Sequence, residues 1–215
     1  ANAGQVISGL QPVSDPYEGA GYILGGDVVG YVDENGELLA DNEITLADWD
    51  YVASYFGLNA ADGDSIRKAD ITADGKIDIV DLSIVGSNFS KRGLDPVYKT
   101  IVDVPSFSFE YETERESVSV GDFYVVPITK LGPELLVGYQ FEFKWSDTDW
   151  DWVSVTSSDG DLGMSVQRKT SYGTLWGFSS LGGKPIPAKL EWKLKARVNY
   201  PELPVVSNVL VVDDG

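Results

Sequence analysis

The chain has 215 residues, and its 34 acidic against 16 basic side chains give a formal net charge of −18. It contains no cysteine and no histidine, which excludes disulfides, thiolate or imidazole catalysis and the common zinc sites. Because such a charge repels phosphate backbones and anionic lipid, we predict no nucleic-acid partner. The sequence has no run of 18 apolar residues, so we predict no membrane insertion. Divalent cations are the expected counter-charge.

The first 25 residues are rich in glycine and carry no basic side chain. We expect an N-terminal arm over residues 1–25, in which residues 5–10 can add a strand to the sheet edge of a neighbour. The chain begins Ala-Asn-Ala without a methionine, as a mature end does after removal of a signal peptide. This beginning predicts an extracellular or cell-surface location.

An internal repeat follows, in which two acidic loops each precede a stretch with helical spacing of apolar residues. A basic pair, a glycine and a proline then end the second helix, so a small helical domain over residues 26–95 is predicted. The apolar positions are Trp49, Val52 and Phe56 after the first loop, and Leu82, Val85 and Phe89 after the second.

The second acidic loop, residues 70–81, has the spacing of a calcium-binding loop. Calcium takes about six to eight oxygen ligands, which a loop of roughly twelve residues supplies from positions 1, 3, 5, 7, 9 and 12. Gly75 stands at position 6, where the chain must turn sharply. The predicted ligands are Asp70, Thr72, Asp74, the carbonyl of Lys76, Asp78 and Asp81.

The first loop is less regular, and a second calcium site there is one of two readings. In this reading, Asp27 takes position 1 and residues 30–40 are an inserted hairpin that turns at Asn35-Gly36. The other reading is a loop that keeps its shape by hydrogen bonds alone. The remaining predicted ligands are Asp41, the carbonyl of Glu43, Thr45 and Asp48 at positions 5, 7, 9 and 12.

Beyond Val104 the apolar period changes from helical to alternating, which predicts strands with one solvated face. The clearest are residues 107–111, 139–145 and 190–198. Residues 209–212 are apolar on both faces, and we expect a central strand there. The fold class is therefore α+β and multidomain, with an EF-hand-like helical domain followed by an antiparallel β-sandwich or jelly roll over residues 104–215.

The two loop-plus-helix repeats resemble the dockerin domain, most specifically in DITADGKIDIVDLSIVGSNF. The sandwich resembles a cohesin domain, from GDFYVVPI through LVGYQFEFKW to NVLVVDDG. The resemblance implies that loop positions 10 and 11 contact a protein partner. Those positions are Leu46, Ala47, Ile79 and Val80, all apolar.

No catalytic residue is predicted. Asp147, Asp149 and Asp151 are the only candidates for a carboxylate pair, and alternation places them together on the solvated edge of one strand. We therefore expect a non-enzymatic, calcium-binding, extracellular structural protein. Because both complementary halves lie on one chain, copies can associate head to tail into a filament.

Two alternatives to self-association stay open. The halves can pack together as a rigid spacer module within a larger surface protein or a cellulosome-like complex. Alternatively, the chain is a carbohydrate-binding module whose aromatic side chains stack on sugar rings, although the register of Trp145 assigns it to the core. The candidate platforms are Trp145, Trp150, Trp152, Tyr172 and Trp176.

Overall fold

The structure is a computed structural model that describes residues 25–91, 108–111, 118–131, 136–157, 162–171 and 173–213. Except for residue 25, the predicted arm, including residues 5–10, lies outside the described residues. The segment between the two predicted domains, residues 96–103, also lies outside them.

The N-terminal half consists of a short antiparallel hairpin and three helices. The hairpin pairs Gly30 with Ala40 and Val32 with Leu38, which confirms the inserted hairpin predicted in the first loop. Two short helical segments between the repeats were not predicted, because their sequence is too short to show a helical period. The elements are β1 (Gly30–Val32), β2 (Leu38–Ala40), α1 (Leu46–Tyr55), a 3-10 turn (Ala60–Asp62), α2 (Asp64–Ala69) and α3 (Ile79–Ser87).

The helices α1 and α3 each begin with a reciprocal side-chain cap that the acidic loops supply. The Thr45 hydroxyl accepts from the amide of Ala47, and Asp48 accepts from the amide of Thr45. Asp78 likewise accepts from the amide of Val80, and Asp81 accepts from the amide of Asp78. The last residue of each predicted calcium loop therefore also satisfies a free N–H group at a helix start.

The C-terminal half contains two four-stranded antiparallel sheets, ordered β10-β5-β8-β7 and β3-β4-β9-β6. This arrangement confirms the predicted antiparallel β-sandwich. The strands are β3 (Ser108–Tyr111), β4 (Phe123–Leu131), β5 (Leu136–Lys144), β6 (Trp150–Ser157), β7 (Met164–Lys169), β8 (Thr174–Ser179), β9 (Lys189–Ala196) and β10 (Val205–Asp213).

Aromatic side chains fill the space between the two sheets. Trp176 of β8 and Trp192 of β9 meet edge to face, with their ring centroids 5.5 Å apart. Phe141 of β5 also lies 5.5 Å from the Trp192 ring, and Phe178 stacks on Phe141 at 6.2 Å. Edge-to-face and offset aromatic contacts add about 0.5–1.5 kcal/mol per pair to the free energy gained by burial alone.

The expectation of a central strand at residues 209–212 is wrong, because β10 is the edge strand of its sheet. It is nevertheless covered on both faces. Val211 belongs to the core between the sheets, whereas Val212 belongs to the cluster shared with the helices. An edge strand covered by a second sheet on one face and by α3 on the other has the same apolar pattern as a central strand.

Candidate functional site

The second acidic loop is organised around two buried carboxylates. Asp81 is fully buried, and its Oδ1 and Oδ2 accept from the amides of Thr72 at 3.0 Å and Asp78 at 2.9 Å. The Asp70 carboxylate accepts from the amides of Asp74 at 3.2 Å and Gly75 at 2.9 Å. Gly75 has φ of 93°, the left-handed conformation that glycine adopts at little cost.

The first loop repeats this pattern. Asp48 is fully buried, and it accepts from the amides of Val29 at 2.9 Å and Thr45 at 2.8 Å. The Asp27 carboxylate accepts from the amides of Asp41 at 3.3 Å and of Asn42 at 2.7 Å, and Asn42 has φ of 70°. In both loops, position 1 therefore accepts from positions 5 and 6, and position 12 accepts from positions 3 and 9.

This equivalence places Asp27 at position 1 of the first loop. The inserted hairpin leaves the loop between Val29 and Asp41 and returns to it without changing the hydrogen bonds of the loop ends. Asn42 replaces glycine at the turn because asparagine tolerates a positive φ better than other side chains do. The sequence signal for this position is therefore an asparagine directly after an aspartate.

Burial of these carboxylates opposes their ionisation. It raises the pKa of Asp27 to about 6, although hydrogen bonds from Asn42 and Asp41 act against it. Burial also raises the pKa of Asp70. For Asp81, burial and then the charge of Asp78 hold the pKa well above its usual range. A bound divalent cation would relieve the cost of keeping several charged carboxylates in this loop.

The remaining predicted ligands serve local turns and caps. Asp74 is exposed and accepts from the amide of Lys76 at 2.9 Å, and Asp41 accepts from the amide of Glu43 at 3.0 Å. The Thr72 hydroxyl donates to Asp70 at 3.3 Å. Within the described residues, no group of three or more acidic side chains is arranged to hold a metal ion.

The residues predicted to contact a protein partner divide into two pairs. Ile79 and Val80 are buried inside the chain, and the amide of Ile79 donates to Oε1 of Gln140 on β5 at 2.9 Å. Leu46 is 46% exposed, and Ala47 is exposed as well. In the second repeat, position 10 thus faces the chain's own sandwich and position 11 is buried, whereas both positions of the first repeat are exposed to solvent.

Close packing joins α3 to the sandwich. A Cβ on Gly138 of β5 would lie 2.0 Å from the Ser83 hydroxyl oxygen, and one on Gly86 would lie 1.9 Å from the carbonyl oxygen of Ser180. The side chains of Val137, Leu181 and Val212 form one buried cluster with the apolar residues of the helices. The helices therefore form a third layer on the sheet β10-β5-β8-β7.

Helix α1 is also fastened to this sheet. The indole Nε1 of Trp49 donates to the Ser179 hydroxyl at 2.8 Å, and both residues are buried. The guanidinium of Arg168 on β7 donates to the carbonyl oxygens of Ser54, at 2.9 Å, and Phe56 at the C-terminal end of α1. Carbonyls at this end of a helix have no partner within the helix, so the guanidinium satisfies them.

The proposed sugar-stacking aromatics are mostly inside the molecule. Trp150 and Trp176 are buried, and Trp145 is half-buried with its ring 5.4 Å from that of Phe143. Trp152 is 47% exposed, whereas Tyr172 lies outside the described residues. Buried indoles leave no extended aromatic platform among these four tryptophans.

The expectation that Asp147, Asp149 and Asp151 share one strand is wrong. Asp147 and Asp149 lie in the turn before β6, and only Asp151 lies on that strand. The Asp149 carboxylate accepts from the amide of Glu202 at 2.8 Å and from the Ser146 hydroxyl at 3.1 Å. Hydrogen bonds lower its pKa, first that from the Glu202 amide and then that from the Thr148 hydroxyl, as expected of a carboxylate that stabilises a turn.

None of the helices in the described part is long and apolar enough to cross a membrane. No protein-family model matches the chain, and no curated protein matches it either.

Several solved structures of cohesin modules resemble part of the chain. One is a cohesin module of a family 33 glycoside hydrolase from Clostridium perfringens, with 12% identity, 50% of this chain and 90% of that chain covered, and a TM-score of 0.36. Another is the sixth cohesin of scaffoldin B from Acetivibrio cellulolyticus, solved with a Cel5 dockerin mutant. It is 13% identical, the match covers 50% of this chain and 86% of that chain, and the TM-score is 0.38. A type II cohesin from Bacteroides cellulosolvens is 17% identical, with 47% of this chain and 77% of that chain covered and a TM-score of 0.37.

Proposed function

We propose that the chain is a non-enzymatic, calcium-binding structural protein of an extracellular surface, and that it associates with copies of itself. The observation that carries the calcium part is that both acidic loops have buried aspartates at their first and last positions. The contact between α3 and β5 joins the loop-and-helix half to the sandwich as one body, and it begins within the second acidic loop, where the amide of Ile79 donates to Gln140.

The donor chemistry of both loops supports calcium. Carboxylate, hydroxyl and carbonyl oxygens are the ligands that calcium prefers, and the second loop carries them at the spacing of a calcium-binding loop. The first loop has this spacing once the inserted hairpin is left out, with Val29 at position 3. Asp70, Asp74, Asp78 and Asp81, with Thr72 and the Lys76 carbonyl, would hold the ion in the second loop. Several of these carboxylates accept hydrogen bonds from backbone amides, and they have to rotate towards the ion in order to bind it.

Calcium in the second loop would stabilise the docked position of α3. Asp81 lies in the first turn of α3, and Asp70 lies at the opposite end of the loop. An ion held by both would fix the start of the helix relative to the loop. Because α3 covers β5, β8 and β10, the ion would also stabilise the sandwich.

Self-association has to use surfaces other than the α3 contact, since Ile79 and Val80 are already buried within the chain. Leu46 and Ala47 remain accessible in the first repeat. Further exposed apolar side chains lie on the β1–β2 hairpin and on the outer face of the sheet β3-β4-β9-β6. A structural unit with exposed apolar groups at two separate surfaces can join its neighbours without losing its internal contact.

A rigid spacer is the second candidate, and the same α3 contact favours it. Sedimentation velocity and negative-stain electron microscopy of the full chain distinguish the two. If the chain self-associates, we expect assembled species in millimolar calcium and monomer in chelator. Sodium chloride of equal ionic strength should not replace calcium. Monomer under all these conditions at high protein concentration would leave only the spacer.

The calcium part of the proposal has its own test in Asp70→Asn and Asp81→Asn. Both changes remove a carboxylate charge with little change of shape, and we expect each to abolish calcium binding at the second loop in isothermal titration calorimetry. Asp62→Asn is the matched control, because Asp62 is exposed and lies outside both loops. Equal calcium binding by all three variants would contradict the site.

A further inference from the structure

The β1–β2 hairpin exposes apolar side chains, and Lys68 of α2 donates a hydrogen bond to its Leu38 carbonyl oxygen. Tyr31, Val32 and Leu38 are 52%, 61% and 39% exposed, and Val32 pairs with Leu38 on one face of the hairpin. A two-stranded hairpin gains little from such exposed groups in isolation. Strand alternation places Tyr31 on the opposite face. We call Val32 and Leu38, with the turn between them, the hairpin surface.

The turn of the hairpin surface is acidic and well ordered by hydrogen bonds. It carries Asp33, Glu34 and Glu37, and residues 30–40 contain no basic side chain. The Asp33 carboxylate accepts from the amides of Asn35 at 2.9 Å and Glu37 at 2.7 Å. The side chains of Glu34 and Glu37 are left exposed to solvent. The hairpin surface is therefore an apolar patch bordered by negative charge.

A patch of opposite character lies on the other side of the sandwich. Phe123 and Val125 of β4 are 57% and 47% exposed, and they lie directly opposite Lys195 and Lys193 of β9. Because Leu194 is buried between the two lysines in sequence, strand alternation places Lys193 and Lys195 on the outer face. We call these four residues the lysine face.

The lysines of this face lie over an aromatic ring. Asp151 of β6, the cross-strand neighbour of Lys195, pairs with Arg197 at 3.6 Å. The Nζ atoms of Lys193 and Lys195 lie 4.3 Å and 6.0 Å from the centroid of Phe123. Among the described residues, neither forms an ion pair, whereas the nearby Lys189 pairs with Glu191 at 3.4 Å. The lysine face is therefore an apolar patch bordered by positive charge, on a chain whose net charge is −18.

We propose that the hairpin surface of one copy docks on the lysine face of the next copy. This inference rests on the self-association proposed above and names the surfaces that carry it. Apolar groups would meet apolar groups, and the carboxylates of Glu34 and Glu37 would meet the ammonium groups of Lys193 and Lys195. Like charges prevent either surface from pairing with itself.

The position of the two surfaces gives the contact its direction. The hairpin belongs to the helical layer, which covers the sheet β10-β5-β8-β7, and the lysine face is the outer surface of the opposite sheet. Each copy thus presents one surface on each side of its three layers. A contact between unlike surfaces leaves one of each free, so it continues head to tail.

Charge reversal of each surface tests the docking in the full chain with calcium present. One variant carries Lys193→Glu and Lys195→Glu, and the other carries Glu34→Lys and Glu37→Lys. Each alone brings like charges together, and we expect at least about a tenfold loss of association in sedimentation velocity. An equimolar mixture restores both opposite-charge contacts, so the two variants should co-assemble in alternation.

Lys169→Glu with Lys184→Glu is the control, since these exposed lysines lie outside the lysine face and the change in net charge is the same. It should assemble as the wild-type chain does. Circular dichroism melting checks that every variant is folded. Wild-type assembly that survives either charge reversal, or a mixture that stays monomeric, would overturn the docking surfaces alone. A wild-type chain that never assembles in calcium would overturn the proposed self-association and this inference with it.

Discussion

The amide of Gly182 donates a hydrogen bond of 3.0 Å to the carbonyl oxygen of Gly86, which ties α3 to the loop after β8. Gly86 is buried here because the helix backbone approaches Ser180 directly. A hydrogen bond between helix and loop backbones at this distance requires that neither side chain stand between them. The absence of a Cβ at Gly86 is thus a condition of the contact between the two halves.

We expect Gly86→Ala to lower the free energy of unfolding by about 2 kcal/mol or more, since the new Cβ would lie 1.9 Å from the Ser180 carbonyl oxygen. The helix propensity of alanine offsets at most about 1 kcal/mol of this loss. Urea denaturation followed by tryptophan fluorescence measures the difference. Ser54→Ala, at an exposed position of α1, is the control and should be nearly neutral.

Trp49→Phe should lower stability by about 1–2 kcal/mol, because it leaves the buried Ser179 hydroxyl without its indole donor. Ser179→Ala should cost a similar amount by leaving the indole N–H unpaired. A double-mutant cycle between them isolates the pair, with an expected coupling of about 1 kcal/mol. Strictly additive losses would mean that the hydrogen bond does not contribute to the contact.

Arg168→Lys should lower stability by about 1 kcal/mol, because an ammonium group cannot reproduce the forked contact with the carbonyls of Ser54 and Phe56. Thermal melting in calcium measures it. The neighbouring Lys169 is exposed, so Lys169→Arg serves as the control and should leave the melting temperature unchanged. A neutral Arg168→Lys would show that the end of α1 is held by apolar packing alone.

Much of the fold follows from the sequence because the two periods are clear. The acidic loops predict that a helix follows each of them, although α1 and α3 begin at Leu46 and Ile79, two residues before the last aspartate of each predicted loop. The alternation in residues 190–198 predicts β9, with Leu190, Trp192 and Leu194 buried as expected. Local patterns of this kind depend on neighbours within the same element.

The contact between the halves could not be predicted in the same way. The apolar residues Ile79 and Val80 are equally suited to a second protein and to the chain's own β5, and only the tertiary structure distinguishes them. Gly138 gives no signal either, because a glycine within a strand predicts a bulge or a close approach without naming the partner. The edge position of β10 was missed for the same reason, since α3 covers Val212 from a distant part of the sequence.

Calcium should raise the melting temperature of the whole chain in one transition, not that of the helical half alone. The buried cluster that includes Ile79 and Leu82 also includes Val137 and Val212, so loss of the docked helix removes one cover of the sandwich. Ligand at about 100 times its dissociation constant adds about 2.7 kcal/mol per site.

Differential scanning calorimetry in calcium and in chelator measures the gain. Asp27→Asn and Asp70→Asn should each remove the part of the calcium-dependent gain in melting temperature that comes from one loop. Asp62→Asn should keep the full gain. Two separated transitions in chelator, with the later one insensitive to calcium, would show that the sandwich does not depend on α3.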